Sequence, residues 1–354
     1  MAKRSDQIYQ ELLNRLNSDY YPVGSKFPSD SLLADEFGTT RITINKIASL
    51  LAEQGYLTRG NRGAGTRVSP RVFKPKGYIA FVGNLNQFST ELLYGIQAEC
   101  MLYGYFTIVL SPRVEHLQSC LQMLHKRNAA GIISVGYGVH APPDGVEMYC
   151  LDCPAALQTP TAHVHFINSD NYAGGRQIME EVLRRNHRDI VVFSLSHVFK
   201  SRSASPTPFK IAPRLRGMFD AMKQAGITDC AKRIFHGKSE SLADARESFR
   251  EILRRYPETT VICTDSDIGA EQINIVAREH GIKCPGDIAL TGFGNITGLR
   301  IASVDQNAVR QGQLAARYLI DHVEDSEFCF PENELVETTV SRADCIPTLV
   351  SVSK

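Results

Sequence analysis

Four polar side chains that can bind nucleic acid stand close together between residues 41 and 46. Arg41 carries forked donors that suit guanine, Asn45 suits adenine, and Lys46 suits phosphate or guanine. Thr43 lies between them in the sequence. These side chains can act together on one nucleic-acid surface only if a single helix presents them on its exposed side.

The apolar residues around this cluster predict such a helix, because they recur at helical spacing and would form one buried face. That face consists of Ile44, Ile47, Leu50 and Leu51. Thr39 or Thr40 is the expected N-cap, and Gly55 is the expected end. The polar cluster then falls on the first turns, largely away from the buried face. A helix that enters a DNA major groove presents its N-terminal side chains in this way.

Two more helices are predicted before this one. The first runs from about Ser5 to Asn17, where leucine and isoleucine recur on one face. The second begins after Ser29, which has the position of an N-cap, and it stops at Gly38. The short Gly-Thr-Thr connection between the second and third helices indicates a helix-turn-helix pair whose second member reads the groove.

A glycine-rich hairpin is predicted directly after the reading helix. Residues 56–59 and 66–68 form its strands, and residues 60–65 form the turn. Gly63 and Gly65 permit positive φ and close approach to a DNA backbone. The basic residues around this wing tip are Arg59, Arg62 and Arg67. Taken alone, the wing could equally be a solvated hairpin on a structural helical domain.

Residues 5–69 resemble the GntR-type winged helix-turn-helix, because several separated motifs occur in the family's order. The motifs are Phe27-Pro28-Ser29, Leu33-Ala34, Thr40-Arg41-x-Thr43-Ile44, Gly55-Tyr56-Leu57 and Gly63-x-Gly65-Thr66-x-Val68. Ser31 and Asn45 stand where the family often has arginine. The resemblance implies double-stranded operator DNA as a partner. It assigns DNA contacts to Ser29, Thr40, Arg41, Thr43, Asn45, Lys46, Arg62, Gly63, Gly65 and Arg67.

Beyond residue 77 the sequence alternates between apolar strand-like runs and amphipathic helices. The strand-like runs are 78–83, 105–110, 131–135, 164–168, 190–194, 260–264 and 288–291. The helical runs are 90–103, 114–126, 171–185, 213–225, 242–256, 266–280 and 308–323. Such alternation predicts parallel sheets with helices on both faces, and ligands bind beyond the carboxyl ends of their strands. The count is too large for one ordinary sheet, so we expect two α/β lobes.

This region, roughly residues 77–350, resembles lactose-repressor-type regulators. The motifs that carry the likeness are Tyr78–Val82, Glu91–Ile96, Ser169-Asp170-Asn171-x-x-Gly174-Gly175, Asn186–Ile190, Arg214-x-x-Gly217, Asp287–Phe293 and Ser303–Asn307. The resemblance implies a periplasmic-binding-protein-like fold, a homodimer, and a small effector, usually a sugar or nucleobase, held between the lobes. The predicted fold is therefore an N-terminal winged helix-turn-helix joined to a two-lobed α/β effector domain.

The same resemblance assigns ligand contacts residue by residue. They fall on Asn86, Phe88, Ser89, Asp170, Arg214, Asp267, Asn295 and Gln306. The first three would line the turn after the first strand of this region, on the wall of the first lobe. Asp267 opens a helix, so N-capping is the alternative role for it. Gly294-Asn295 replaces the aspartate that many sugar-binding members carry after Gly292-Phe293. The carboxylate contact usual for a sugar is therefore missing at this position. The effector that the resemblance implies is a sugar or a related metabolite.

An enzyme is not favoured by the remaining residues that could do chemistry. None of the serines or histidines lies in a recognisable nucleophile turn, and the glycine-rich run 61–65 is not followed by the Lys-Ser/Thr of an NTPase phosphate loop. His163 and His165 share one face of a strand, a spacing that can bind metal, and Cys150 and Cys153 form a CxxC pair. We interpret these as surface or cleft histidines and strand-end thiols, and predict neither a metal site nor a cofactor.

Composition sets the expected organisation and compartment. Residues 1–71 carry ten Lys+Arg and seven Asp+Glu, so their net charge is +3. Because the net charge of the whole chain is +1, the remaining residues carry −2. No apolar run reaches the roughly 18 residues of a membrane span, and the charged start does not have the apolar core of a signal peptide. We expect a cytoplasmic protein without a membrane partner. The predicted division is a winged-helix domain at 1–69, a linker at 70–77, and a two-lobed ligand-sensing and dimerisation domain at 78–354.

These observations predict a ligand-responsive bacterial transcriptional regulator, most simply a repressor, that binds operator DNA through the wing and reading helix. The first alternative is a constitutive DNA-binding dimer whose sensor domain no longer binds ligand. A more remote alternative is a sugar-metabolising enzyme fused to a DNA-binding module. The Ser/Pro-rich basic run at 196–213 is long for a loop and is expected beside the cleft.

Overall fold

The computed structural model describes residues 4–18, 20–60, 65–69, 75–137, 142–152, 163–195, 213–239, 241–295, 298–325, 327–331 and 334–349. It separates into two compact units, Met1–Lys76 and Gly77–Lys354. Helices long and apolar enough to cross a bilayer do not occur in these ranges.

The first unit consists of three helices and a two-stranded hairpin. The helices are α1 (Arg4–Asn17), α2 (Asp30–Glu36) and α3 (Arg41–Glu53), and the strands are β1 (Leu57–Arg59) and β2 (Thr66–Val68). The strands are antiparallel, with Leu57 opposite Val68. Apolar faces of all three helices meet in one core with Phe27 and Leu57, and burial of these faces holds the unit together. The expectation that Leu50 is on the buried face of α3 is wrong: it is 43% exposed, and Ala48 is buried instead, because positions 44, 47, 48 and 51 follow the spacing of one helix face.

The second unit contains two six-stranded sheets. Its strands are β3 (Gly77–Gly83), β4 (Tyr105–Leu110), β5 (Gly131–Val135), β6 (Met148–Leu151), β7 (Val164–Ser169), β8 (Ile190–Ser194), β9 (Ile234–His236), β10 (Val261–Thr264), β11 (Ala289–Gly294), β12 (Ala302–Asp305), β13 (Glu334–Val336) and β14 (Thr339–Ser341). Its helices are α4 (Gln87–Tyr103), α5 (Leu117–Lys126), α6 (Asn171–Arg184), α7 (Pro213–Gln224), α8 (Leu242–Arg255), α9 (Asp267–Glu279) and α10 (Ala308–Glu324).

Each sheet defines one lobe. The first lobe has the strand order β13-β7-β6-β5-β3-β4 and the second β14-β12-β11-β10-β8-β9. All pairings within them are parallel except β12 with β14. The chain crosses between the lobes after β7, after β12 and after β13. The predicted mixed α/β fold with two lobes is therefore confirmed.

Several elements differ from the sequence-based expectation. Strand β12 was expected only at Ser303-Val304 of the last motif. Strands β6, β9, β13 and β14 were not expected, since three- and four-residue strands carry too little periodicity to identify. Helix α4 begins at Gln87 rather than at residue 90, because Asn86 and Ser89 form a capping box. Phe88 and Ser89 are consequently in the first helical turn, and the expectation that they line a turn is wrong. The helix expected over 114–126 is a short 3-10 turn followed by α5.

Two helix crossings in this unit are unusually close. In the second lobe α6 meets α7, and a Cβ added to Gly175 would lie 2.0 Å from the carbonyl oxygen of Arg214. In the first lobe α4 meets α10, and a Cβ added to Gly95 would lie 2.0 Å from the carbonyl oxygen of Val309. Only glycine permits backbones to approach this closely.

Candidate functional site

The reading helix α3 presents the predicted polar cluster to solvent. Arg41, Asn45 and Lys46 are exposed, Thr43 is half-buried, and the intervening Ile44 is fully buried. The Thr40 hydroxyl accepts a hydrogen bond from the backbone N–H of Thr43 at 3.2 Å, so Thr40 is the N-cap. The exposed face therefore offers two cations and an amide on successive turns.

Ser29 occupies the equivalent position at the start of α2. Its hydroxyl accepts a hydrogen bond from the backbone N–H of Leu32 at 3.3 Å. The serine remains exposed, so capping leaves it accessible to a phosphate. The predicted N-cap at Ser29 agrees with the structure, and of the two candidates Thr39 and Thr40 for α3 the structure selects Thr40.

Two contacts on α3 were not expected from the sequence. The Asn45 Nδ2 donates to Asp30 Oδ2 of α2 at 2.7 Å. The Arg59 Nη2 donates to the Asn45 carbonyl oxygen at 3.1 Å and to Ser49 Oγ at 2.8 Å. Arg59, expected at the wing tip, thus supports the middle of the reading helix instead.

The wing is only partly within the described residues. Gly65 has φ +72, the left-handed conformation for which glycine was expected. Arg67 donates from Nη1 to the Gly24 carbonyl oxygen at 2.9 Å, so at least one of its donors is used within the protein. Arg62 and Gly63, which are predicted DNA contacts, lie outside the described residues.

Arg214 is the centre of a polar cluster at the carboxyl ends of the second-lobe strands. Its Nε donates to Asn171 Oδ1 at 2.7 Å, its Nη1 to the Asp265 carbonyl oxygen at 3.0 Å, and its Nη2 to Gln306 Oε1 at 2.5 Å. The guanidinium lies 4.1 Å from the centroid of the Phe293 ring. Four separate chain segments thereby fix one half-buried cation.

Burial and the neighbouring carboxylates have opposite effects on the pKa of Arg214. Burial lowers its pKa, and the carboxylates of Asp152, Asp265 and Asp267 act in the other direction. Asp152 follows β6 of the first lobe, and burial raises its pKa while the charge of Arg214 opposes the rise. Asp152 was missed in the sequence because β6, the four-residue strand before it, was not identified there.

Gln306 connects this cluster to the crossovers between the lobes. While its side chain accepts from Arg214, its carbonyl oxygen accepts from Ser169 Oγ at 3.0 Å and from Gln311 Nε2 at 2.8 Å. Ser169 ends β7, and Gln306 follows β12, so two of the three crossovers meet here. A displacement of the Arg214 side chain would act directly on this junction.

Asp267 and Asn295 form a neighbouring group through Ser303. Asp267 Oδ1 accepts from Ser303 Oγ at 2.6 Å, and the Asn295 backbone N–H donates to the same hydroxyl at 3.0 Å. Asp267 is buried, and the N-cap of α9 is Ser266. Asn295 also accepts from Arg342 Nη2 at 2.7 Å. Capping by Asp267, the alternative considered above, is therefore not its role.

The other predicted ligand residues are placed at helix starts. Asp170 Oδ1 accepts from the Ala173 backbone N–H at 2.9 Å and caps α6, one residue before Asn171. In the first lobe, Asn86 caps α4, Ser89 is fully buried in the reciprocal capping bond, and Phe88 packs on the first-lobe core. The Ser89 hydroxyl also donates to the carbonyl oxygen of Asn84, at 2.9 Å, just before the helix.

The paired histidines face one carboxylate. His163 Nδ1 lies 2.7 Å from Glu147 Oε1, and His165 Nε2 lies 2.7 Å from Glu147 Oε2. In the part of the chain that the structure describes, no group of three or more His, Cys, Asp and Glu could hold a metal ion. Cys153, the second member of the CxxC pair, lies outside the described residues.

Comparison with known proteins identifies both units. Residues 4–68 match the model of the gntR family of bacterial regulatory proteins, and residues 179–343 match a periplasmic binding protein-like domain. The HTH-type transcriptional regulator GntR of Escherichia coli K12 is 24% identical over 320 residues, covering 82% of this chain and 90% of the relative. The arabinose metabolism transcriptional repressor of Geobacillus stearothermophilus is 22% identical over 352 residues, 90% of each chain.

A solved structure shows the same fold. The complex of the transcriptional regulator CelR with cellobiose superposes with a TM-score of 0.60 at 19% identity, covering 89% of this chain and 98% of the other. Both resemblances seen in the sequence are thus confirmed. The chain is a transcriptional regulator that joins a winged helix-turn-helix matching the gntR family to a periplasmic-binding-protein-like domain, and the relatives it resembles are transcriptional regulators rather than enzymes.

Proposed function

We propose that this regulator is a ligand-responsive repressor acting in the cytoplasm as a homodimer. It binds operator DNA through α3 and the wing, and it holds a small polyhydroxylated molecule of the sugar class at the Arg214 cluster. The observation that carries the ligand proposal is the guanidinium of Arg214, half-buried at the strand ends and bonded to the crossover residue Gln306. Forked donors of this kind suit vicinal hydroxyls or a carboxylate.

The names of similar proteins support the effector class. One relative is an arabinose metabolism repressor, and one similar structure contains cellobiose. A ligand that displaces Gln306 from Arg214 would favour a different arrangement of the lobe crossovers. Because a ligand shifts an equilibrium only by its differential affinity for two states, ligand binding and DNA binding would be coupled reciprocally, typically by about 1–3 kcal/mol.

Exposed apolar side chains support the homodimer. Tyr94, Met101 and Leu102 are spaced along one side of α4 and are 66%, 73% and 72% exposed. Phe106, on the edge strand β4, is half exposed as well. Contiguous apolar patches rimmed by polar residues commonly mark protein interfaces. Two reading helices would also supply the affinity and selectivity that one small winged domain does not provide.

A thermal-shift measurement on the full chain with L-arabinose and cellobiose tests the ligand site. A true ligand at about 100 times its dissociation constant stabilises the folded state by roughly 2.7 kcal/mol. Arg214→Ala should abolish that shift. Arg216→Ala is the matched control, since Arg216 lies on the same helix, carries the same charge and is exposed. A sugar shift that survives in Arg214→Ala would remove Arg214 from the site.

The constitutive dimer remains a second candidate, and one observation favours it. Nε, Nη1 and Nη2 of Arg214 each already have a protein partner, so the cluster is stable without a ligand. In that case neither sugars nor other metabolites would shift the melting temperature, while operator binding would be retained in their absence.

A further inference from the structure

The contact between Asn45 and Asp30 fixes a side chain that would otherwise be free at the surface. Asn45 is exposed on the second turn of α3, and its Nδ2 donates to Asp30 Oδ2 at 2.7 Å. Its carbonyl oxygen is held by Arg59 from strand β1. Both the backbone and the amide of Asn45 are therefore positioned by neighbouring elements before any DNA is bound.

The carboxylate also determines which way the amide faces. A carboxylate only accepts hydrogen bonds, so the nitrogen of Asn45, and not its oxygen, must point toward Asp30. The oxygen and the second N–H are then left for the groove. Adenine offers a donor at N6 and an acceptor at N7, which match that pair. Guanine offers acceptors at both N7 and O6, and O6 would face the amide oxygen without a hydrogen between them.

We propose that Asp30 is a specificity-determining positioning residue, which orients Asn45 so that the regulator selects adenine and rejects guanine at the base facing residue 45. Arg41 lies one helical turn earlier on the same face and suits guanine. Four residues of helix span about 6 Å, while successive base pairs are about 3.4 Å apart. The preferred half-site then contains a guanine and an adenine within about two base pairs. This inference rests on the proposed reading of operator DNA by α3.

Selection of bound duplexes from a random-sequence DNA pool, with the full chain and sequencing of the bound fraction, tests the proposal. The parent protein should enrich a half-site with that guanine and adenine. Competition between the enriched duplex and its copy with A·T changed to G·C at the Asn45 position should favour the adenine form about 5- to 150-fold.

Asp30→Asn is the decisive variant, because it preserves the shape of the side chain but can present either oxygen or nitrogen. Asn45 can then turn its donors outward to guanine, and the adenine preference should fall below about threefold. Asp30→Glu retains an acceptor-only group and should keep the preference. Asp35→Asn is the matched control, since Asp35 is an exposed acidic residue of the same helix and the charge change is identical.

The outcomes separate the inference from the function on which it rests. If the parent chain enriches no sequence, operator reading by α3 fails, and the inference fails with it. If Asp30→Asn enriches the same half-site with the same adenine preference, the function stands and the role of Asp30 is refuted. An equal loss of preference in Asp35→Asn would also refute it, because charge alone would then explain the effect. Enrichment of cytosine in place of adenine by the parent would mean that Asp30 contacts the base itself, which contradicts the proposal.

Discussion

Gly175→Ala should disturb the Arg214 cluster, because Gly175 on α6 packs directly against the backbone of Arg214 on α7. The new Cβ would lie 2.0 Å from the Arg214 carbonyl oxygen, whereas ordinary contacts begin near 3.4 Å. Helix α7 must therefore retreat by about 1.4 Å at this point. The hydrogen bonds of Arg214 to Asn171 and Gln306 are 2.7 and 2.5 Å long, and a retreat of this size takes them beyond hydrogen-bonding range.

Two effects then reduce stability. Overpacking of a close contact costs about 1–3 kcal/mol. Loss of one or more hydrogen bonds to the charged guanidinium adds about 1.5–3 kcal/mol. We expect Gly175→Ala to lower the free energy of unfolding by about 2.5–6 kcal/mol, measured by urea denaturation followed by circular dichroism.

A double-mutant cycle distinguishes damage to the Arg214 cluster from general overpacking. Once Gly175→Ala has displaced Arg214, removing that side chain should cost little more, so Gly175→Ala and Arg214→Ala should be non-additive by about 1 kcal/mol or more. Gly95→Ala, which creates the same 2.0 Å contact in the first lobe, is the control and should add with Arg214→Ala within about 0.5 kcal/mol. Additive effects in the Gly175 cycle would refute the reasoning.

Three further outcomes are expected. Arg41→Ala should weaken binding to the enriched duplex by about 1–3 kcal/mol in a mobility-shift titration, and unchanged affinity would contradict the assignment of α3 as the reading helix. Leu102→Glu places a charge in the exposed apolar side of α4 and should convert the dimer to a monomer by light scattering; a parent chain that is already monomeric would refute the dimer. Hydrogen bonding from Arg184, with Arg185 adding, lowers the pKa of Glu181 from 4.5 to about 2. The depressed pKa means that Glu181 stabilises the fold above pH 4.5 and loses that contribution as the pH falls toward 2. Glu181→Gln should therefore flatten the pH dependence of urea stability in that window, and an unaltered curve would show that the ion pair is inconsequential.

Local features of the sequence were sufficient for most elements of both units. Ser29 was expected as an N-cap and is one, and of the two candidates Thr39 and Thr40 the second is the N-cap of α3, because capping depends on a side chain and a backbone group three positions away. The strand-helix alternation beyond residue 77 likewise predicted the two-lobed fold, because the apolar residues of each element indicate which of its own positions are buried. Strand β6 has only four residues, too few for a pattern that predicts a strand, and it is identified only by its pairing with β5 and β7.

The sequence by itself determined which residues could bind DNA or ligand, since donor and acceptor chemistry belongs to each side chain. The tertiary structure decided which of them meet. Arg214 bonds to Gln306 92 positions away, and Asn45 to Asp30 15 positions away. Arg59, expected at the wing tip, reaches back to the reading helix, and Asp152 comes under the influence of Arg214 from the other lobe. Periodicity and capping report interactions within a few residues, whereas these contacts depend on how whole helices and sheets pack, and local patterns carry no information about that packing.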